Sequence, residues 1–187
     1  EDTTVLPGDL SWALGIEQAK EDFAFISAIP GRKILLKGNH DYWWTTATKF
    51  YHFCAAHGWD DMFILNNNCY FYGETALCGT RGWFYEQEQE GTHDEKIFRR
   101  ELGRLEASLK AAGDHEKLCF LHYPPRYRGY ECPEILGLLA RYGVRQCFYG
   151  HLHAESMRLA IQGSFGGCEF RLLSADYVNF KPQKLLD

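Results

Sequence analysis

The sequence has no long apolar segment and no excess of positive charge. Its longest apolar runs are short, such as residues 34–36, whereas a membrane-spanning helix needs about 20 apolar residues. The chain carries 20 basic and 25 acidic residues, which gives a formal net charge of -5. We therefore predict no membrane association, and the charge disfavours long nucleic acid as a partner, because nucleic-acid-binding domains usually carry clustered basic residues.

The sequence also lacks the cysteine spacing of disulfide frameworks and zinc sites. It has seven cysteines, an odd number, and no two of them form a C-x-x-C pair. Several lie in apolar segments, as Cys119 and Cys147 do. This pattern is typical of reduced core cysteines in a cytoplasmic protein.

The composition that remains is that of one globular domain. Hydrophobic residues make up 45% and aromatic residues 16% of the 187 residues, enough to fill a large core. Apolar runs and helical periodicity alternate along the chain, which predicts an α/β or mixed layered fold. Strands are predicted at residues 4–6, 33–37, 63–65, 69–72, 75–78, 117–121, 146–149 and within 169–178, and helices at 16–29, 46–57, 93–111 and 135–142.

Four polar clusters follow predicted strands. They are Asp9 after a glycine, the Gly-Asn-His-Asp of residues 38–41, His122, and the Gly-His-Leu-His of residues 150–153. In open α/β sheets, ligands bind beyond the carboxyl ends of strands, and the glycines let the backbone turn sharply there. Carboxylate, amide and imidazole groups suit manganese, iron or zinc, so the four clusters together predict a catalytic metal site.

Each cluster has a simpler explanation when it is taken alone. A single Gly-Asp is usually a turn, and a single histidine before Tyr-Pro is usually a strand-end residue. The string Gly-Asn-His-Asp is more specific, because it should occur by chance in only about one chain in a thousand of this length. The metal-site prediction therefore depends on all four clusters occurring in this order.

The order of the clusters resembles that of the calcineurin-like metallophosphoesterases. The resemblance covers residues 5–177, and the strings PGDLSWA (7–13) and GNHDYWW (38–44) look like a bacterial branch of that family. It implies a four-layer α/β/β/α sandwich with two mixed sheets, and a site at one edge of the sandwich. The family pattern also implies that Asp9 bridges two metal ions, that Asn39, His122 and His151 complete one site, and that His153 serves the other.

The family's first motif, Asp-x-His on an N-terminal strand, is absent from this chain. We therefore expect residues 1–187 to be a single metallophosphoesterase domain that is truncated at its N-terminus and lacks its first strand. On this view the second metal site is incomplete. His52, His57, His93 and His115 match no family motif, so we expect them to be structural.

The resemblance implies hydrolysis of a phosphate mono- or diester by in-line attack of a hydroxide that bridges two divalent ions. In the family pattern the counterpart of His40 lies near the leaving-group oxygen, as a general acid or as a hydrogen-bond donor to the transition state, and we expect Asp41 to orient its ring. Arg81 is a candidate to bind a phosphate oxygen, although an exposed loop arginine is an equal alternative.

Other assignments stay open at this stage. Arg126 and Arg128 share the ambiguity of Arg81, and Trp43 and Trp44 either pack in the core or line the substrate site. A non-catalytic scaffold and a protein that binds a single metal ion are the alternatives to a dimetal enzyme. Substrate identity, metal identity and oligomeric state are not determined by the sequence.

Overall fold

A computed structural model describes residues 2–83 and 92–186 of the chain. The strands are β1 (Thr3–Leu6), β2 (Arg32–Leu35), β3 (Met62–Ile64), β4 (Cys69–Tyr72), β5 (Thr75–Thr80), β6 (Glu116–Leu121), β7 (Arg126–Tyr127), β8 (Tyr130–Glu131), β9 (Gln146–Tyr149), β10 (Gly163–Phe165) and β11 (Cys168–Leu172). The helices are α1 (Lys20–Ser27), α2 (Ala47–Ala56), α3 (Thr92–Ala111) and α4 (Pro133–Arg141), with short 3-10 helices at Ile16–Ala19 and Ala154–Leu159.

Two sheets form the centre of the molecule. The first contains three parallel strands in the order β1-β2-β3. The second contains six strands in the order β10-β11-β9-β6-β5-β4, in which β10 and β4 are antiparallel to their neighbours. The expected mixed pairing therefore holds for the second sheet, whereas the described strands of the first are parallel throughout. β7 and β8 form a separate hairpin.

Three apolar clusters separate four layers, which confirms the expected α/β/β/α sandwich. The cluster between the sheets combines Ile34 of β2 with Phe120 of β6 and Phe148 of β9. A second cluster packs α1 and α2 against the three-stranded sheet, and a third packs α3 and α4 against the six-stranded sheet. Because both sheets are covered on both faces, their strands read as short apolar runs in the sequence.

Most predicted elements are confirmed, with small shifts at their ends. The second strand ends at Leu35 rather than at residue 37, and α2 begins after Thr46, whose hydroxyl accepts the N–H of Lys49. The predicted helix at residues 16–29 begins as a 3-10 turn, and β10 and the β7–β8 hairpin were not predicted. The predicted loop at residues 80–92 lies partly outside the described residues.

Three further expectations concern the cysteines, membrane-spanning segments and the first strand. All seven cysteines are free and six of them are buried, which confirms their core role. In residues 2–83 and 92–186, no helix combines the length and apolar character that crossing a membrane requires. Among the described strands β1 pairs with β2 alone, so it lies at one edge of the sheet as described. The expectation that a further strand precedes it in a longer chain stays a prediction.

Candidate metal centre

The four predicted clusters meet where β1, β2, β6 and β9 end. Gly8 has a φ of +101°, and a Cβ at this position would lie 2.7 Å from both the Gly38 nitrogen and the His122 Nδ1. A Cβ on Gly38 would lie 2.0 Å from Asp9 Oδ1. The glycines are thus needed because the loops that follow β1, β2 and β6 contact one another here.

Two of the predicted ligands occupy a sparsely populated backbone region. Asp9 has a φ of +57° and His151 a φ of +70°, and neither is a glycine. Such conformations cost free energy and cluster at functional sites, where the surrounding structure maintains them. Both residues come directly after a strand and its glycine, so the strained turns aim their side chains at the same point.

The side chains of Asp9, Asn39, His122 and His151 converge in one compact group. Asp9, His122 and His151 each offer a ligand atom that lies within 4.8 Å of the other two. Asn39 Oδ1 lies 2.7 Å from His122 Nε2 and 3.0 Å from His151 Nδ1. An oxygen and two imidazole nitrogens at this spacing, with a carboxylate beside them, make a donor set that suits a divalent cation.

The two histidines of this group are in the protonation state that metal binding requires. Burial lowers the pKa of His122 to about 4, although its contact with the Pro7 carbonyl acts in the opposite direction. Burial, followed by the neighbouring His122, lowers the pKa of His151 to about 4. Both rings are therefore neutral at neutral pH, so a metal ion would not have to displace a proton. The group fits a divalent metal ion.

The contact with Pro7 also determines which nitrogen His122 offers. Its Nδ1 lies 3.0 Å from the Pro7 carbonyl oxygen, which can only accept, so Nδ1 carries the proton. Nε2 then presents its lone pair towards Asn39 and Asp9, and its distance to Asp9 Oδ2 is 3.6 Å. A backbone carbonyl of the other sheet thus fixes the tautomer, which is a common arrangement for metal-binding histidines.

The expectation that Asp41 orients the ring of His40 is wrong in this structure. Asp41 is fully buried, and its carboxylate accepts five hydrogen bonds. The donors are the backbone N–H groups of Asp9, Leu10, Ser11 and Gly38 and the indole N–H of Trp43. The turn points this carboxylate inwards, so Asp41 holds together the two loops that carry Asp9 and Asn39.

The ring of His40 contacts two aromatic residues instead. The indole of Trp12 stacks on the imidazole with ring centroids 3.9 Å apart and an interplanar angle of 9°. The hydroxyl of Tyr42 lies 3.1 Å from Nδ1 of His40. The backbone N–H of His40 donates to Asp9 Oδ1 at 2.8 Å, which ties this residue to the candidate ligands.

His153 lies apart from the compact group, although it belongs to the same motif as His151. Its side chain is 52% exposed, and its Nδ1 lies 2.8 Å from Asp176 Oδ1. The other oxygen of Asp176 accepts the N–H of Ala154 at 2.9 Å. Sequence reasoning missed Asp176, because no local pattern marks a residue 23 positions away as the partner of a histidine.

Arg81 lies in a partly buried ion-pair cluster rather than in an exposed loop. Its backbone carbonyl accepts the N–H groups of His122 and Tyr123, at 3.0 and 2.9 Å. Its guanidinium lies 3.7 Å from Glu101, a buried carboxylate that also binds Arg104 and the hydroxyl of Thr80. The backbone of Arg81 thus contacts the candidate ligand His122, while its side chain is bound by Glu101 of α3.

The structure also shows the surroundings of the two tryptophans and the two arginines whose roles the sequence left open. Trp43 is buried and packs edge-on against Phe23, which confirms core packing for this residue, whereas Trp44 lines a surface cleft of about 600 Å³. Arg126 binds Glu131 and lies over the ring of Phe165. The backbone N–H of Arg128 bonds to Leu159.

The described histidines outside the motifs do not belong to the compact group. His57 packs against Trp59, and His115 contacts the backbone of Glu74. His52 is exposed on α2. The side chain of His93 lies outside the described part of the chain. The described members of this set are thus surface or packing histidines, as the motif comparison predicted.

Comparison with known families agrees with this geometry. Residues 1–155 match the family described as calcineurin-like phosphoesterase. The chain belongs to this family. The match covers all four members of the compact group and His153, and it ends before Asp176. The comparison with curated proteins finds no match.

Membership of the calcineurin-like phosphoesterases carries a coarse function. The family implies hydrolysis of phosphoesters and generally binds divalent metal ions. Within the part of the chain that the structure describes, Asp9, His122 and His151 form a group that could hold a metal ion. The resemblance based on the strand-end motifs is therefore confirmed at the level of family and fold.

Proposed function

We propose that this protein hydrolyses a phosphate mono- or diester by in-line displacement at the centre formed by Asp9, Asn39, His122 and His151. The observation that carries the proposal is the convergence of these side chains. Ligand atoms of Asp9, His122 and His151 lie within 4.8 Å of one another, Asn39 Oδ1 lies within 3.0 Å of both imidazoles, and both imidazoles are neutral. Two divalent ions bound here would supply hydroxide at neutral pH and neutralise the negative charge of the phosphoryl oxygens. Manganese, iron and zinc all suit these ligands.

His40 is the residue that we assign to the leaving group. Among the described residues, the ring's hydrogen bonding involves Nδ1 alone, so Nε2 is available to a substrate. His40 follows Asn39 directly and its backbone N–H donates to Asp9 Oδ1, which supports a place for its side chain beside the compact group. Its role is to give a proton to the departing oxygen, an effect typically worth about 100- to 10,000-fold in rate.

Arg81 is the residue that we assign to a phosphoryl oxygen. Its Nε is buried and has no hydrogen-bond partner among the described residues. The chain as a whole is acidic, so an anionic substrate needs a local cation. A guanidinium suits this task because its planar donors match two oxygens at once.

A panel of phosphomonoesters and phosphodiesters, assayed with and without added manganese, tests this function. We expect metal-dependent turnover by the wild-type protein, its loss in His122→Ala, and its retention in the matched control His52→Ala. His52 is an exposed histidine on α2 and lies outside the compact group. Metal binding without hydrolysis of any ester would contradict the enzyme.

A protein that binds one metal ion is the second candidate, and the position of His153 favours it. Asp9, His122 and His151 form a compact group that does not include His153. Metal content per chain, measured by mass spectrometry after dialysis, separates the candidates. Two ions per chain support the dimetal enzyme, one ion supports the single-ion protein, and none supports the scaffold.

A further inference from the structure

We propose that Trp12 and Tyr42 are positioning residues that hold the imidazole ring of His40 beside the leaving group. This inference rests on the proposed function, because it assigns to two aromatic residues the orienting role that His40 needs there. Neither residue is a metal ligand, and neither contacts the reacting atoms. Their proposed effect is exerted through the ring of His40.

Trp12 restrains one face of the imidazole. The two rings are nearly parallel, 9° apart, with their centroids 3.9 Å apart. Trp12 nevertheless remains 66% exposed, so the stack is formed at the surface rather than imposed by core packing. Stacked aromatic pairs attract each other more strongly than the apolar area that they bury would explain. This attraction keeps the imidazole against the indole.

Asp41 explains why Trp12 stays in this position. Its carboxylate accepts the backbone N–H groups of Leu10 and Ser11, at 2.8 and 3.1 Å, and Trp12 follows them directly. The hydroxyl of Ser11 also donates to Asp22 at the start of α1. The loop that carries the indole is thus tied to the loop that carries His40. Asp41 therefore affects His40 through the backbone of residues 9–11.

Tyr42 determines which ring nitrogen faces outwards. Its hydroxyl lies 3.1 Å from Nδ1, and its ring meets the imidazole nearly edge-on, at 83° with centroids 6.0 Å apart. With Nδ1 engaged by Tyr42, Nε2 is the nitrogen left for the substrate. When the P–O bond breaks, its electron pair stays on the departing oxygen, and that oxygen takes the proton from Nε2. The transfer leaves a neutral ring whose one remaining proton is on Nδ1, next to the Tyr42 hydroxyl.

The test uses the dependence of the rate on the leaving group. A 4-nitrophenyl ester releases a stable phenolate that needs no proton, whereas the matching alkyl ester needs one. We expect Trp12→Ala to lower kcat about 10-fold or more on the alkyl ester and less than about 3-fold on the nitrophenyl ester. KM and metal content should stay unchanged. Tyr42→Phe should show the same pattern with a smaller loss.

Three further variants separate positioning from a general loss of structure. Trp12→Phe keeps an aromatic ring and should restore most of the activity on the alkyl ester. Phe25→Ala removes an aromatic side chain that is 77% exposed on α1 and should have no effect on either ester. The double variant W12A/H40A should be no slower than His40→Ala, because Trp12 acts through His40.

A readout that needs no turnover is the NMR signal of the His40 ring protons. The stacked indole should shift these signals upfield in the wild-type protein, and the shift should vanish in Trp12→Ala. Equal losses on both esters, or additive losses in the double variant, would overturn the positioning role while the proposed function stands. A wild-type protein that hydrolyses neither ester would overturn both.

Discussion

His122 and His153 follow adjacent strands of one sheet, but one is buried among candidate ligands and the other is half exposed. His122 is 1% exposed, bonded to a backbone carbonyl of the other sheet, and close to three other candidate ligands. His153 is half exposed and is held by one carboxylate, Asp176. A residue that belongs to a family motif therefore does not necessarily join the ligand group. Whether its side chain converges with the others depends on contacts between loops of both sheets.

The largest expected effect comes from the buried side of this comparison. His122→Ala removes a neutral imidazole from the compact group. Removing only the hydrogen-bond partner of a metal ligand costs up to about 100-fold, so loss of the ligand itself should lower metal affinity and activity by more than that. Calorimetric titration with manganese and steady-state assays measure the two effects. His153→Ala should be milder, and equal losses in the two variants would contradict the comparison.

Asp41 lies beneath the buried group, and its removal should be felt in stability. Asp41→Ala leaves five N–H donors without their carboxylate, so we expect the free energy of unfolding to fall by about 2–3 kcal/mol. Urea denaturation of the metal-free protein measures this. Unchanged stability together with lost activity would instead support a direct role at His40.

The pH dependence of stability sharpens the comparison further. The pKa values of His122 and His151 are about 4 in the folded protein, below the usual histidine value near 6.5. Between these values the unfolded chain binds more protons, so the unfolding free energy should fall as the pH decreases from about 6.5 towards 4. The expected slope is about 1.4 kcal/mol per pH unit for each histidine.

Urea midpoints of the metal-free protein between pH 7 and pH 4.5 measure this slope. The double variant H122Q/H151Q is the control, and its slope should be shallower than that of the wild-type protein. A slope unaffected by the double substitution would show that other groups control the acid sensitivity.

The sequence predicted features that depend on neighbouring residues and missed those that depend on tertiary contacts. Asp9, Asn39, His122 and His151 each lie within four residues of the end of a strand, and parallel strand ends meet at one edge, so their convergence was predictable. The stacking of Trp12 on His40 joins residues 28 positions apart, which no local pattern encodes.

Asp41 shows the opposite error, in which a sequence neighbour was taken for a spatial partner. It follows His40 directly, but the turn directs its carboxylate to the backbone of residues 9–11. A buried carboxylate needs several donors, and the imidazole alone offers one. The loop backbone supplies these donors, and this requirement determined where Asp41 points.

The smallest expected effect comes from the exposed side of the comparison. Asp176→Asn weakens the bond that fixes the His153 ring, so we expect about 10-fold weaker binding of any ion that uses His153, the lower end for a metal ligand's partner. Titration with manganese measures this. Glu155→Gln, which removes an exposed carboxylate that pairs with Arg158, is the matched control and should leave the affinity unchanged.

The central claim is that the side chains of Asp9, Asn39, His122 and His151 form the metal centre. Crystals soaked in manganese, measured for anomalous scattering near the manganese absorption edge, test it most directly. We predict a peak about 2.0–2.3 Å from ligand atoms of these four side chains. A peak beside His153 alone, or no peak among the four residues at saturating manganese, would contradict the claim.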